Sequence, residues 1–220
     1  MIIVLLRLMH CKGNSIAMGS SEEIEIRPVV ENDLEELAEK HPKFMPGYYT
    51  SLLGQFYLRT FFWPAIFNDQ STRSFVAQNR NGIVGFIICT TNSQNLKRSI
   101  MSRMLYLGNV IIISKCLFSR IIFASTLENF RSLFRKRPDE LPSSELFLIG
   151  VDLDSRGSGI GRQLMMKMGE FLRSEKIDQV FLRVKESNLT AISLYKKMGY
   201  QVHSHTHEMG EDWVIMTTSA

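Results

Sequence analysis

Apolar and polar positions alternate between strand-like and helix-like stretches from about residue 23 to the C-terminus. Glu23 to Arg27 alternates with period two, as a half-buried strand does, and Glu31-Asn32-Asp33 then opens a helix running to about Lys40. Pro42 and Pro46 are expected to end it. Gly47 to Phe62 carries Leu52, Leu53, Phe56, Tyr57 and Thr60 at helical spacing, with Pro64 as its stop. Ser74 to Gln78 and Ile83 to Thr91 form a hairpin around Asn79-Arg80-Asn81-Gly82, because Asn-Gly is a strong turn signal. Ser144 to Leu153 is a fourth strand, Gly161 to Ser174 an amphipathic helix, Gln179 to Val184 a fifth strand and Leu189 to Met198 a further helix. Tyr200 to His207 and Trp213 to Thr218 close the pattern as a hairpin over Met209-Gly210-Glu211.

The junction Glu145 to Gly161, ELFLIGVDLDSRGSGIG, carries the most chemistry. An apolar strand runs into Arg156-Gly157-Ser158-Gly159-Ile160-Gly161, a turn of backbone N–H groups unobstructed by large side chains. It lies where the next helix presents its unpaired donors and positive dipole end, which makes an anion site suited to a diphosphate. No Gly-Lys-Ser/Thr follows, so it is not a Walker loop, and the third glycine of the dinucleotide fingerprint is missing.

Arg-x-x-Gly-x-Gly after such a strand resembles the pyrophosphate loop of the GNAT superfamily, the acetyl-coenzyme A dependent N-acetyltransferases. Asn188-Leu-Thr-Ala191-Ile-Ser-Leu194-Tyr195-Lys-Lys-Met-Gly199-Tyr200 resembles a second motif of that family, in register with the first. The resemblance is specific over residues 145–203, extends to 24–91, and is absent for the first twenty residues and for 92–143. It implies an α/β fold: a mixed, centrally splayed β-sheet flanked by helices, with a helical insertion at about 92–143 between strands 3 and 4. Residues 23–220 would form this domain and residues 1–22 a poorly ordered extension.

The resemblance implies acetyl-CoA as co-substrate. Arg156, Gly157, Ser158, Gly159, Ile160, Gly161 and Arg162 would surround the pyrophosphate, Val151 and Leu153 would offer backbone groups to the pantetheine arm, and Asn188 would bond that arm, cap its helix, or both. Asp152 lies beside the loop and is expected, like Asp154, to cap the turn. Amide formation needs a base, because an alkyl amine with a pKa near ~10 is almost wholly protonated at neutral pH. Glu145 is the implied proton acceptor; the alternative is a solvated strand-end acid. Tyr195 is the implied donor to the departing thiolate; the alternative is a core aromatic beside Leu194. His203, His205 and His207 share one strand face, which is read as polar and partly wet rather than as a metal site, with one of them a reserve base.

Composition fits one domain with one sizeable core: 220 residues, 45% hydrophobic. Of the net charge of +4, Lys97 to Arg137 alone contributes nine basic residues against Glu128. Ile100, Met104, Leu107 and Ile111 form one helical stripe there, and Leu127, Phe130, Leu133 and Phe134 another. Such helices could cover the acceptor site, bind an acidic partner, or touch an anionic membrane surface; no module accompanies them that would read nucleic acid. Cys11, Cys89 and Cys116 lack metal spacing and pairing, which suits a reducing cytoplasm. The opening MIIVLLRLMHCK is broken at Arg7 and too short to span a bilayer. The family resemblance implies acetyl transfer to a primary amine, an amino sugar foremost, with a catalytically idle acyl-CoA sensor or scaffold as the rival.

Overall fold

The computed structural model describes residues 23–107, 119–120, 122–124, 126–127, 131, 141–208 and 210–219. The N-terminal extension, the stripe positions Ile111, Phe130, Leu133 and Phe134, and Arg135, Lys136, Arg137, Cys11 and Cys116 lie outside them.

Seven strands form one mixed sheet in the order β1-β2-β3-β4-β5-β7-β6. They are β1 Glu25–Pro28, β2 Thr72–Asn79, β3 Gly82–Thr90, β4 Glu145–Val151, β5 Gln179–Lys185, β6 Gln201–Glu208 and β7 Glu211–Ser219. Only the β4–β5 pair is parallel. Helices α1 Asp33–Phe44, α2 Tyr49–Leu53, α3 Gln55–Tyr57, α4 Trp63–Asn68 and α5 Ser93–Leu107 pack with one core, and α6 Ile160–Ser174 and α7 Leu189–Lys197 with a second. Among the described residues no helix is long and apolar enough to cross a membrane.

Two helix boundaries depart from the sequence pattern. Pro42 does not end α1 but sits inside it, and the helix runs on to Phe44. A proline there costs roughly 3 kcal/mol, and burial of Phe44 and Met45, 2% and 4% exposed, offsets it at roughly 2–3 kcal/mol per side chain. The expected single helix Gly47 to Phe62 is instead broken at Gly54, whose φ of 88° no helix uses, and continues through α3 and a π-helical turn, Leu58–Phe62, into α4. Pro64 then falls in the first turn of α4, directly after Trp63, whose N–H bonds Leu58 O across the π-helical turn. The extra residue per turn brings Leu58, Phe61, Phe62 and Trp63 all into the core.

His41, fully buried on α1, stacks on Phe86 at 5.5 Å, faces the edges of Phe62 and Trp63, and places Nε2 2.9 Å from Thr50 Oγ1. Burial pushes its imidazole down from 6.5 to about 4. The unfolded chain therefore binds the proton first on acidification. The stability that neutral His41 contributes is therefore expected to be complete above pH 6.5, to decline below it, and to have fallen by about 3 kcal/mol once the pH reaches 4. Urea unfolding at pH 7, 5 and 4 should show this decline, about 2 kcal/mol of it by pH 5, and His41→Gln should flatten it.

Candidate active site

The central opening of the sheet follows from strand pairing. β4 pairs with β3 from Glu145↔Thr90 to Val151↔Gly85, but with β5 only at Glu145↔Phe181 and Leu146↔Leu182. β5 follows β7 as far as Lys185↔Trp213, so the two central strands part beyond Leu146. A bulge at Phe147, where Cys89 opposes Leu146 and Ile88 opposes Leu148, shifts the phase of β4. Asp152 N–H then bonds Val84 O at 2.9 Å, so by alternation Ile149 and Val151 turn their backbone groups to the open side. The opening is part of a cleft of about 1000 Å³.

At one end of the cleft lies the glycine turn. Gly157 and Gly159 have φ of 82° and 89°, conformations that L side chains rarely adopt, and a Cβ at either would meet nothing within 4 Å. The turn feeds α6, whose N-cap is Gly159, so its first N–H groups lack intrahelical acceptors and point out of the helix end. Gly85 on β3 lets this helix approach closely: a Cβ there would lie 3.4 Å from both Ile160 and Leu164. Gly157, Gly159, Ile160, Gly161 and Arg162 line the cleft, and Ser158 donates its hydroxyl to Ser155 O at 2.6 Å. Arg156 also lines it, but its guanidinium bonds Val151 O and Phe44 O, each at 3.2 Å, tying the turn to α1. Leu153 lies in a 3-10 turn, Leu153–Ser155, rather than in the strand, and is 54% exposed. Neither it nor Asp152 lines the cleft. Gly150 is needed by the protein's own packing, since a Cβ there would come within 3.0 Å of Phe44 and Phe86.

α7 forms another wall. Asn188 Oδ1 accepts from Ala191 N at 3.1 Å, capping the helix, and the residue also lines the cleft. Tyr195 is 5% exposed, packs on Tyr200 at 5.9 Å between ring centroids, and lines the cleft as Tyr48 does. Burial pushes its phenol up, with a smaller push from Tyr48, so it stays protonated and able to donate.

Glu145 stands apart. It is 4% exposed and does not line the cleft; Lys97 Nζ of α5 lies 3.2 Å from its Oε2 and Arg183 Nε lies 3.6 Å from its Oε1. Arg183 Nη1 also pairs with Glu208 at 3.3 Å. Among the described residues, the cleft lining contains no Asp, Glu or His. His205 and His207 lie on the exposed face of β6 beside Glu186, at 3.5 Å, and Asp212, at 2.7 Å. Among the described residues no group of three His, Cys, Asp or Glu could hold a metal ion.

Residues 125–200 match the model of the acetyltransferase (GNAT) family. Over this stretch the chain is similar to the GNAT acetyltransferases. The ribosomal-protein-S18-alanine N-acetyltransferase of Escherichia coli superposes with a TM-score of 0.57 at 15% identity, covering 90% of this chain and 94% of that one. NAA60 of Arabidopsis thaliana in complex with acetyl-CoA gives 0.57 at 19% identity, covering 90% and 98%. These likenesses concern the fold. In sequence, a mycothiol acetyltransferase of Thermobispora bispora is 42% identical over 59 residues, which is 27% of this chain and 20% of the relative. The chain thus matches about a fifth of that relative's length.

Around the cleft, sequence reasoning missed Tyr48, Arg183 and Lys185. The two cations alternate with Leu182 and Val184, which belong to the second core, and so project from the opposite face of β5. Charged residues in an otherwise buried strand were the available signal. Lys185 Nζ sits over Tyr48 and Trp213, 5.1 and 5.8 Å from their ring centroids, and pairs with Glu211 at 2.5 Å.

Proposed function

We propose that the protein transfers an acetyl group from acetyl-CoA to a primary amine in a ternary complex, in the cytoplasm. The observation that carries this reading is the parting of β4 and β5 beyond Leu146, directly beside a glycine turn at the α6 N-terminus. Ile149 and Val151 would bond the pantetheine amides as an added strand, and the N–H groups from Gly157 to Gly161 would hold the diphosphate. An N–H of the open strand edge would polarise the thioester carbonyl. The amine nitrogen attacks that carbon, the C–N bond forms and the C–S bond breaks. The amine proton passes to Glu145 through a water, since Glu145 does not itself line the cleft. Tyr195 donates a hydrogen bond to the departing sulfur. Because a thiolate near ~8.5 is a weaker base than phenolate, Tyr195 stabilises it without giving up its proton, and the sulfur is protonated from solvent.

An amino sugar is the first acceptor to test, followed by small amines and N-terminal peptides. Acceptor-dependent release of free thiol from acetyl-CoA supports the reading. The burial of Glu145 favours one rival, a domain that binds acyl-CoA without turning it over; acetyl-CoA binding without thiol release for any amine would establish that rival.

The inserted segment suits a membrane-surface contact. Arg120, Phe123, Leu127 and Arg131 are exposed, Phe123 56% and Leu127 37%, and recur in the sequence at the three- and four-residue spacing of an amphipathic pattern. Binding to phosphatidylserine vesicles at low salt should weaken as salt rises, and replacing Arg131, Arg135, Lys136 and Arg137 by Gln should remove it. Co-sedimentation checks this, and no binding at low salt would leave the segment a packing element.

A further inference from the structure

Among the described residues, the inserted segment reaches Glu145 through Lys97. α5 is seated in the first core by Leu96, fully buried, and Met101, 8% exposed, so Lys97 between them projects from a fixed helix. Its ammonium lies 3.2 Å from Glu145 Oε2, an atom that is fully buried and makes no hydrogen bond of good geometry. On the other side, Arg183 Nε is equally buried and equally without such a bond, 3.6 Å from Oε1. The carboxylate that the family resemblance marks as proton acceptor is thus braced by one cation of the sheet and one from the insertion.

We propose that Lys97 is a positioning residue for acetyl transfer, orienting the Glu145 carboxylate and stabilising its charge so that it can take the amine proton. This rests on the reading of Glu145 as proton acceptor. A carboxylate buried this deeply is costly to keep charged unless a cation is held against it. The groups facing it are Lys97 from α5, Arg183 from β5 with Glu208 of β6 behind it, and the Cys89 thiol of β3. Cys89 is pushed up to about 12, by burial first and by Glu145 second, and stays neutral. Lys97 is pulled down on balance, by burial first, with Glu145 pushing it part of the way back up. In the reaction the amine proton moves to Glu145 as the C–N bond forms, and Lys97 neither gains nor loses a proton.

The test is the pH profile of kcat/KM for the wild type, Lys97→Met, Lys97→Arg and Glu145→Gln, with calorimetry of acetyl-CoA binding and thermal unfolding of each. Removing a cation this close should raise the acid limb of the Lys97→Met profile by about one pH unit or more and lower kcat, with acetyl-CoA affinity unchanged. Lys97→Arg should return the limb towards the wild-type position. A folded Lys97→Met that binds acetyl-CoA and superimposes on the wild-type profile overturns the inference, and Lys97→Gln carries the same two outcomes if Lys97→Met does not fold. If Glu145→Gln keeps the wild-type rate and limb, the underlying reading of Glu145 fails. If Glu145→Gln loses the rate while Lys97→Met leaves the profile unmoved, only the role of Lys97 fails.

Discussion

Gly159→Glu is expected to abolish acetyl-CoA binding while leaving the fold intact. Gly159 is the N-cap of α6, with φ of 89°, so the new side chain would have to adopt a left-handed conformation at roughly 1–2 kcal/mol. The larger effect is electrostatic: a carboxylate would stand where the helix N-terminus and the glycine turn collect a diphosphate. A loss of about a hundredfold or more in affinity is expected, which corresponds to about 2.7 kcal/mol. Gly159→Ala separates the two causes. A Cβ there meets nothing within 4 Å, so this variant feels only the backbone strain and should bind measurably. Calorimetry on folded Gly159→Glu showing wild-type affinity would remove the cofactor assignment.

Turnover, unlike binding, should depend on Tyr195 and Glu145. Tyr195→Phe keeps the ring that packs on Tyr200 but removes the hydroxyl, and is expected to lower kcat about a hundredfold with little change in acetyl-CoA affinity. Glu145→Gln should cost roughly a hundred- to ten-thousandfold, most severely at low pH, where the amine is most protonated. It also leaves Lys97 and Arg183 without their shared counter-charge, so its thermal unfolding must be measured beside its rate. Full activity in Tyr195→Phe, with activity destroyed in His205→Ala or His207→Ala, would move the chemistry to the β6–β7 hairpin.

The parts of the fold governed by local chemistry were legible in the sequence. The Asn79 to Gly82 turn, the strand entering the glycine turn, and the α7 helix behind Asn188 each follow from residues adjacent in the chain. Helix boundaries set by the core were not. Pro42 predicts an end to α1, and only the burial of Phe44 and Met45 explains why the helix continues. Arg156 reads as an anion-binding side chain, yet its bond to Phe44 O depends on where α1 comes to rest. The environment of Glu145 was the least accessible: its partners Lys97 and Arg183 come from an inserted helix and from a different strand, and no spacing rule joins them.

Acetyl transfer is tested most directly by thiol release from acetyl-CoA by the wild-type protein, followed together with acetylation of the amine across a panel of amino sugars, small amines and peptides. The prediction is thiol release that depends on one class of amine, with one acetylated amine formed per thiol, and loss of both in Gly159→Glu. Tight acetyl-CoA binding with no amine-dependent thiol release would contradict it.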